Sequence, residues 1–186
     1  MRVLLTSAGL ETEEIKEYFM DMAGKDMSLV KALFIPTAAM NAGAIEVLPK
    51  CMHDLLKCGI PDKGITVYDL HEGMELEELQ QYDVVYLCGG DTYYLLERIN
   101  DTKFNESLME YINGNGLVIG VSAGSLIFSN NICHNLGLID TKLDVHCTTG
   151  EKRGRLAYPL KDNVRLTNTC ALVIRDFPDG VEIIGE

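Results

Sequence analysis

The stretch Leu117-Val118-Ile119-Gly120-Val121-Ser122-Ala123-Gly124-Ser125-Leu126-Ile127-Phe128 decides the fold. Its first five residues are continuously apolar, without the alternation of a half-exposed strand. Such a run belongs to a parallel strand covered by helices on both faces. Residues 120–124 then read G-x-S-x-G, and an apolar helical segment (SLIF) is expected after the serine. Strand, tight turn and helix in that order are the setting of a nucleophile elbow, where only small residues fit beside the serine. The elbow presents the hydroxyl at the C-terminal edge of the sheet, where open α/β folds place their ligands. A helix N-terminus behind it would favour developing negative charge. A glycine-rich turn with an N-capping serine is the bland alternative. The flanking strand and helix favour the catalytic one.

Working outward, short β-rich runs alternate with amphipathic segments. Strands are predicted at residues 2–6, 31–35, 65–70 and 84–87. Ile15, Phe19 and Met22 follow at helical spacing behind Thr12, Glu13 and Glu14, which supply an N-terminal cap. Ile45, Leu48, Met52 and Leu55 mark one face of a second helix. Helices are expected over 92–99 and 104–112, ending at the Gly114–Gly116 turn. Strand-like runs return at 144–147, 164–166, 172–175 and 181–184. The pattern predicts a doubly wound three-layer α/β/α sandwich with a mostly parallel sheet. With no internal repeat, linker or low-complexity segment, residues 1–186 are expected to form one domain.

A second glycine turn, Cys88-Gly89-Gly90-Asp91-Thr92, again joins a strand to a helix. Its backbone N–H groups could face Ser122 across the sheet edge, with Gly90 and Ala123 together forming an oxyanion hole. The same turn could instead hold an anion or serve as a tight connection.

Bulk properties narrow the function. The net charge of −12 comes from 16 basic and 28 acidic residues. That field repels phosphate backbones, so no nucleic-acid partner is expected. An anionic substrate would need capture by a local basic group. The six cysteines form no CxxC pair, so neither a zinc site nor a disulfide framework is indicated, and no metal or organic cofactor is expected. The opening MRVLLTSAGLETEE is too short an apolar run for a signal peptide, and nothing reaches membrane-span length. A reducing cytoplasm is the expected compartment.

Taken together, LLTSAG, FIPTAA (residues 34–39), YLCGGDT and GVSAGS resemble the dipeptidase E (aspartyl dipeptidase) family of serine peptidases, which includes the more distant cyanophycinases. The resemblance covers roughly the first two-thirds of the chain. It implies a class I glutamine amidotransferase-like, flavodoxin-like fold, with a serine where the amidotransferases carry an elbow cysteine. It also implies a hydrolase with a small peptide substrate and a triad in the order serine, histidine, acid. Ser122 would be the nucleophile. LGLIDTKLDVH resembles the segment that ends in the catalytic histidine, which gives His146 the role of general base and then acid. His53, His71 and His134 follow no family motif. Asp162 lies close to where the family places its acid. Asp144 competes, because residues i and i+2 of a strand share a face with His146, and Asp140 is a third choice.

Gly150-Glu151-Lys152-Arg153 resembles a family stretch whose arginine holds the side-chain carboxylate of an N-terminal aspartate. That implies substrate binding by Arg153, whose guanidinium fork suits a carboxylate. A solvated charged turn is the plain alternative. The glycine turn carries Asp91 where the family commonly has asparagine, and a carboxylate facing an oxyanion hole would oppose the developing charge.

Three functional expectations follow. The leading one is a serine exopeptidase hydrolysing short peptides, including those with N-terminal aspartate, through an acyl-enzyme on Ser122. The second is a small-ligand-binding or regulatory protein with a vestigial site. The third is an amidotransferase-like or redox-sensing protein on the same fold, using Cys88 with a depressed pKa. Apolar surface left uncovered in the C-terminal third would be met by a second copy, which leaves a homo-oligomer as an expectation.

Overall fold

The computed structural model describes residues 1–176 and 179–185. β1 (Arg2–Thr6) leads into α1 (Glu13–Ala23), and β2 (Ala32–Ile35) into α2 (Ala42–Lys57). β3 (Ile65–Val67) precedes the one-turn α3 (Leu76–Leu79), and β4 (Val84–Leu87) precedes α4 (Thr92–Asp101) and α5 (Phe104–Asn113). β5 (Leu117–Val121) ends at Ser122, followed by a single turn, α6 (Ala123–Leu126). The helix expected just after the serine thus begins at Ala123 and runs for one turn. Beyond it come β6 (Leu143–Asp144), β7 (Gly154–Arg155), β8 (Val164–Arg165), β9 (Cys170–Arg175) and β10 (Val181–Gly185).

The main sheet has the order β3-β2-β4-β5-β1-β9-β10-β7. Its first five members pair in parallel, and β9, β10 and β7 extend it in antiparallel fashion. β6 and β8 form a separate parallel pair. All five parallel strands end at one edge, which brings the segments after β1, β4 and β5 together.

Strand periodicity divides the core into two layers. Val3, Leu5, Leu33, Ile35, Val85, Leu87 and Val118 face one side, against Leu95, Ile99, Phe104, Leu108 and Ile112 of α4 and α5. Leu4, Phe34, Val84, Tyr86, Leu117 and Ile119 face the other, against Ile15 and Phe19 of α1 and Cys51 and Leu55 of α2. This two-sided burial is why the strands read as continuous apolar runs. Each fully buried Leu, Ile or Phe contributes about 1.5–3 kcal/mol. The Phe34 and Tyr86 rings stack at 5.4 Å between adjacent strands.

Helix starts follow side-chain caps: Thr12 accepts from Ile15 N, Asn41 from Ala44 N and Asp91 from Tyr94 N. In α2 the buried face is carried by Cys51, Asp54 and Leu55, whereas Ile45 is more than half exposed. Pro49 sits inside this helix and leaves the Ile45 carbonyl without its intrahelical donor.

Candidate active site

Ser122 occupies the elbow with φ 49° and ψ −109°, a region in which a side chain is strained. Several contacts hold it there. The Ser122 N–H donates to Thr6 O at 2.9 Å, which continues the β1–β5 ladder by one residue. The Ser125 hydroxyl donates to Thr6 O at 2.8 Å and accepts from Thr6 N at 3.0 Å, pinning α6 to β1. A Cβ at Gly120 would stand 2.5 Å from Gly124 O, and one at Gly124 would stand 2.3 Å from Leu87 O. The flanking glycines are thus required by close backbone approach.

His146 Nε2 lies 3.0 Å from Ser122 Oγ. On its other side, Nδ1 lies 2.8 Å from Asn168 Oδ1. With Nδ1–H donating to that amide oxygen, Nε2 keeps its lone pair toward the serine hydroxyl, as a general base requires. His146 is not on a strand: β6 stops at Asp144, and His146 has φ 57°. Its backbone N–H donates to Ser7 Oγ at 3.1 Å, while the buried Ser7 hydroxyl donates to Leu166 O at 3.0 Å. Cys147 N also donates to Leu166 O. The loop after β1 and the segment after β8 together set the imidazole.

The position expected for Asp162 is filled by Asn168. Asp162 is exposed, and its backbone carbonyl accepts from Thr141 Oγ1 at 3.0 Å. It borders a separate hollow with Leu156 and Leu160. Asp144 engages Leu166 N through its backbone carbonyl, and Asp140 is exposed. The i, i+2 argument for Asp144 fails because the strand ends before His146. Among the described residues, no carboxylate hydrogen-bonds the His146 ring. Asn168 and Ser7 escaped the sequence reading. Neither carries a charge, and each meets His146 only through tertiary folding.

The glycine turn packs against the serine: a Cβ on Gly89 would stand 3.2 Å from Ser122 Cβ. Gly90 has φ 142°, and a Cβ there would fall 1.9 Å from Ala38 O. Among the described residues, the N–H groups of Gly89, Gly90 and Ala123 make no hydrogen bond within the protein. Asp91 does not oppose them, since its carboxylate caps α4 through Tyr94 N at 3.0 Å.

A cleft of about 450 Å³ opens beside Ser122, between the sheet edge and α2. Ala44, Val47, Leu48 and Cys51 line its α2 wall, and Glu11 and Lys50 bring charge to it. Arg153 does not line this cleft. Its guanidinium pairs with Glu14 at 2.8 Å and is 61% exposed. The expected aspartate contact is therefore not preformed.

Cys88 is fully buried below the glycine turn, and burial raises its thiol pKa well above the usual value. A thiol nucleophile at Cys88 is disfavoured on both counts. Cys51, lowered to about 7 mainly by the neighbouring Cys88 thiol, is nearly buried at the cleft wall. Among the described residues, no cluster of His, Cys, Asp or Glu could hold a metal ion, and no helix is long and apolar enough to cross a membrane.

A mixed α/β layer fold with a serine on a strained elbow and a histidine in hydrogen-bond contact defines the class of elbow-serine folds. The profile of peptidase family S51 matches residues 3–144, and the chain belongs to that family. An uncharacterised peptidase of Listeria monocytogenes is 27% identical over 132 residues, covering 71% of this chain and 62% of its own length. Peptidase E of Streptomyces coelicolor is 31% identical over 105 residues, covering 52% of this chain and 43% of its own length. The chain thus spans less than two-thirds of the length of these relatives.

Two solved structures share the fold. A putative peptidase E protein from Listeria monocytogenes superposes with a TM-score of 0.74 at 20% identity, covering 100% of this chain and 97% of that one. A peptidase from an acI-B1 Actinobacterium gives 0.69 at 16% identity, covering 100% and 87%. The class I glutamine amidotransferase-like architecture implied by the sequence resemblance is thereby shown.

Proposed function

We propose that this chain is a serine exopeptidase acting on short peptides through an acyl-enzyme on Ser122. The observation that carries this reading is the relay Ser122 Oγ–His146 Nε2 at 3.0 Å and His146 Nδ1–Asn168 Oδ1 at 2.8 Å, opening onto the cleft. Ser122 attacks the scissile carbonyl while His146 takes its proton. The N–H groups of Gly90 and Ala123 receive the oxyanion, and Asn168 keeps the imidazole in the productive tautomer. His146 then protonates the leaving amine, and water releases the acyl group by the reverse proton route. Selection of N-terminal aspartate by Arg153 is not part of this proposal, because that guanidinium is engaged by Glu14 outside the cleft lining.

The test is p-nitroaniline release from Asp, Glu, Ala and Lys anilides by wild type and Ser122→Ala. Release that disappears in Ser122→Ala supports the reading. Release of equal rate in both proteins, or no release from any anilide together with no free amino acids liberated from a mixed dipeptide pool, removes it.

A further inference from the structure

Resting on the exopeptidase reading, we infer that Glu11 is the subsite for the free α-ammonium group of the substrate, and that the adjoining α2 face takes an aliphatic first side chain. The argument begins with the charges in the cleft. Lys50 donates to Glu11 Oε2 at 2.5 Å and to Ala8 O at 3.2 Å, and Asp54 Oδ2 stands 3.7 Å away, in ion-pair but not hydrogen-bond range. Two of its three N–H donors are engaged, and two carboxylates already offset its charge, which makes it a weak site for a substrate carboxylate.

Glu11 is in the opposite position. Lys50 engages only its Oε2, while Oε1 makes no hydrogen bond among the described residues. Its side chain is 37% exposed within the cleft that holds Ser122 and His146. A carboxylate can accept several hydrogen bonds, so Glu11 retains acceptor capacity toward a bound molecule. Lys50 acts as a clamp that fixes its orientation. Two carboxylates, Glu11 and Asp54, share one ammonium, and the chain as a whole carries −12. Such a site favours a cation over an anion.

The shape supplies the second half. Ala44, Val47, Leu48 and Cys51 recur at i, i+3, i+4 and i+7, so one stripe of α2 forms the wall. Val121 adds to this apolar lining at the sheet edge. No guanidinium is among the groups lining the cleft. An aspartate side chain placed against that stripe would lose its hydration, and the one ammonium nearby is already shared by two carboxylates. An alanine, valine or leucine side chain would instead bury apolar area against the stripe. A free ammonium next to an aliphatic side chain is the chemistry of an unblocked, non-acidic peptide N-terminus.

The experiment measures binding without hydrolysis. Titration calorimetry on Ser122→Ala compares Leu-Ala, N-acetyl-Leu-Ala and Asp-Ala. Leu-Ala should bind about tenfold or more tightly than the acetylated peptide and than Asp-Ala. Adding Glu11→Gln should abolish the advantage of the free amine, leave the acetylated peptide unchanged and leave the melting temperature unchanged. Glu11→Asp, which keeps the charge, should recover part of it. Equal binding of blocked and free peptides, tighter binding of Asp-Ala, or no saturable binding of Leu-Ala each overturns the inference. The hydrolysis test above does not depend on Glu11, so failure there and failure here are separate results.

Discussion

Ser122 and His146 meet at 3.0 Å with both backbones at positive φ, 49° and 57°. Neither residue would choose that conformation alone, and a strained non-glycine residue costs about 1–3 kcal/mol. The strain is held by surrounding structure: Thr6 and Ser125 for the serine, Ser7 and Leu166 for the histidine.

This arrangement predicts an inverted order of stability at the elbow. Glycine is normally less favourable than alanine, but it relaxes at φ 49° where alanine does not. Ser122→Gly should therefore be more stable than Ser122→Ala by about 1 kcal/mol, or about 2–4 °C in melting temperature. Both should lose Ser122-dependent hydrolysis. Thermal unfolding of the two variants decides it. A lower midpoint for Ser122→Gly would mean the elbow is not strained in solution.

The contact between His146 and Asn168 leads to a second prediction. Removing the group that orients a catalytic imidazole costs orders of magnitude in rate with little effect on substrate affinity. Asn168→Ala should lower kcat by about 10²–10⁴-fold, with KM nearly unchanged. Asn168→Asp keeps the acceptor and adds a charge that stabilises the imidazolium, so its kcat should equal or exceed that of the wild type. Steady-state kinetics on the best anilide would test both. Wild-type turnover in Asn168→Ala, or equal loss in both variants, would remove Asn168 from the relay.

The sequence was legible where the signal is local. β1, β2, β4 and β5 read correctly because each is buried between helices, and a continuous apolar run such as Leu117–Val121 is too short for a helix and too apolar for a loop, whereas the exposed edge strand β3 stops at Val67, short of the predicted 65–70. The elbow was legible because its glycines, serine and strand lie within one short segment. The partner of His146 was not. Asn168 is 22 residues away, on a loop after β8, and it carries no charge to draw attention. Resemblance points to Asp162 and to Arg153. What their chain positions could not reveal is the turn that leaves Asp162 at Thr141 and the pairing that holds Arg153 at Glu14. Ile45 fell on the predicted apolar stripe, yet the packed face of α2 starts further along, at Cys51.

A third prediction concerns the glycine turn. At Gly90 a side chain faces two penalties, a φ of 142° and an Ala38 carbonyl 1.9 Å from the new Cβ. The obstruction is backbone and cannot swing aside. Gly90→Ala should cost more than about 2 kcal/mol and displace the N–H groups beside Ser122. Gly137 is the control: its φ is 65° but nothing lies within 4 Å of a new Cβ. Gly137→Ala should cost only about 1 kcal/mol, from conformation alone. Urea unfolding of the pair separates steric from conformational cost, and equal losses would show that the Ala38 contact is relieved by a backbone shift.

The final prediction uses Asp54, a nearly buried carboxylate on α2 whose Oδ2 lacks a hydrogen-bond partner. Burial raises its pKa above the usual 3.8, and Lys50 at 3.7 Å offsets only part of that. A raised acid pKa means the folded chain holds the proton more tightly than the unfolded chain does. The associated stability is fully present below about 3.8 and is lost as pH rises through the raised value. At neutral pH the wild type therefore carries the cost of a buried, under-solvated charge. Asp54→Asn removes that charge and keeps an oxygen to accept from the backbone, while the half-exposed Lys50 loses a weak, screened attraction. The variant should be more stable than wild type at pH 8, with a higher melting temperature. The advantage should shrink steadily as pH is lowered toward 4. Melting curves of both proteins from about pH 4 to 8 test this. An Asn variant that is less stable at pH 8 would show that the Lys50 attraction outweighs desolvation.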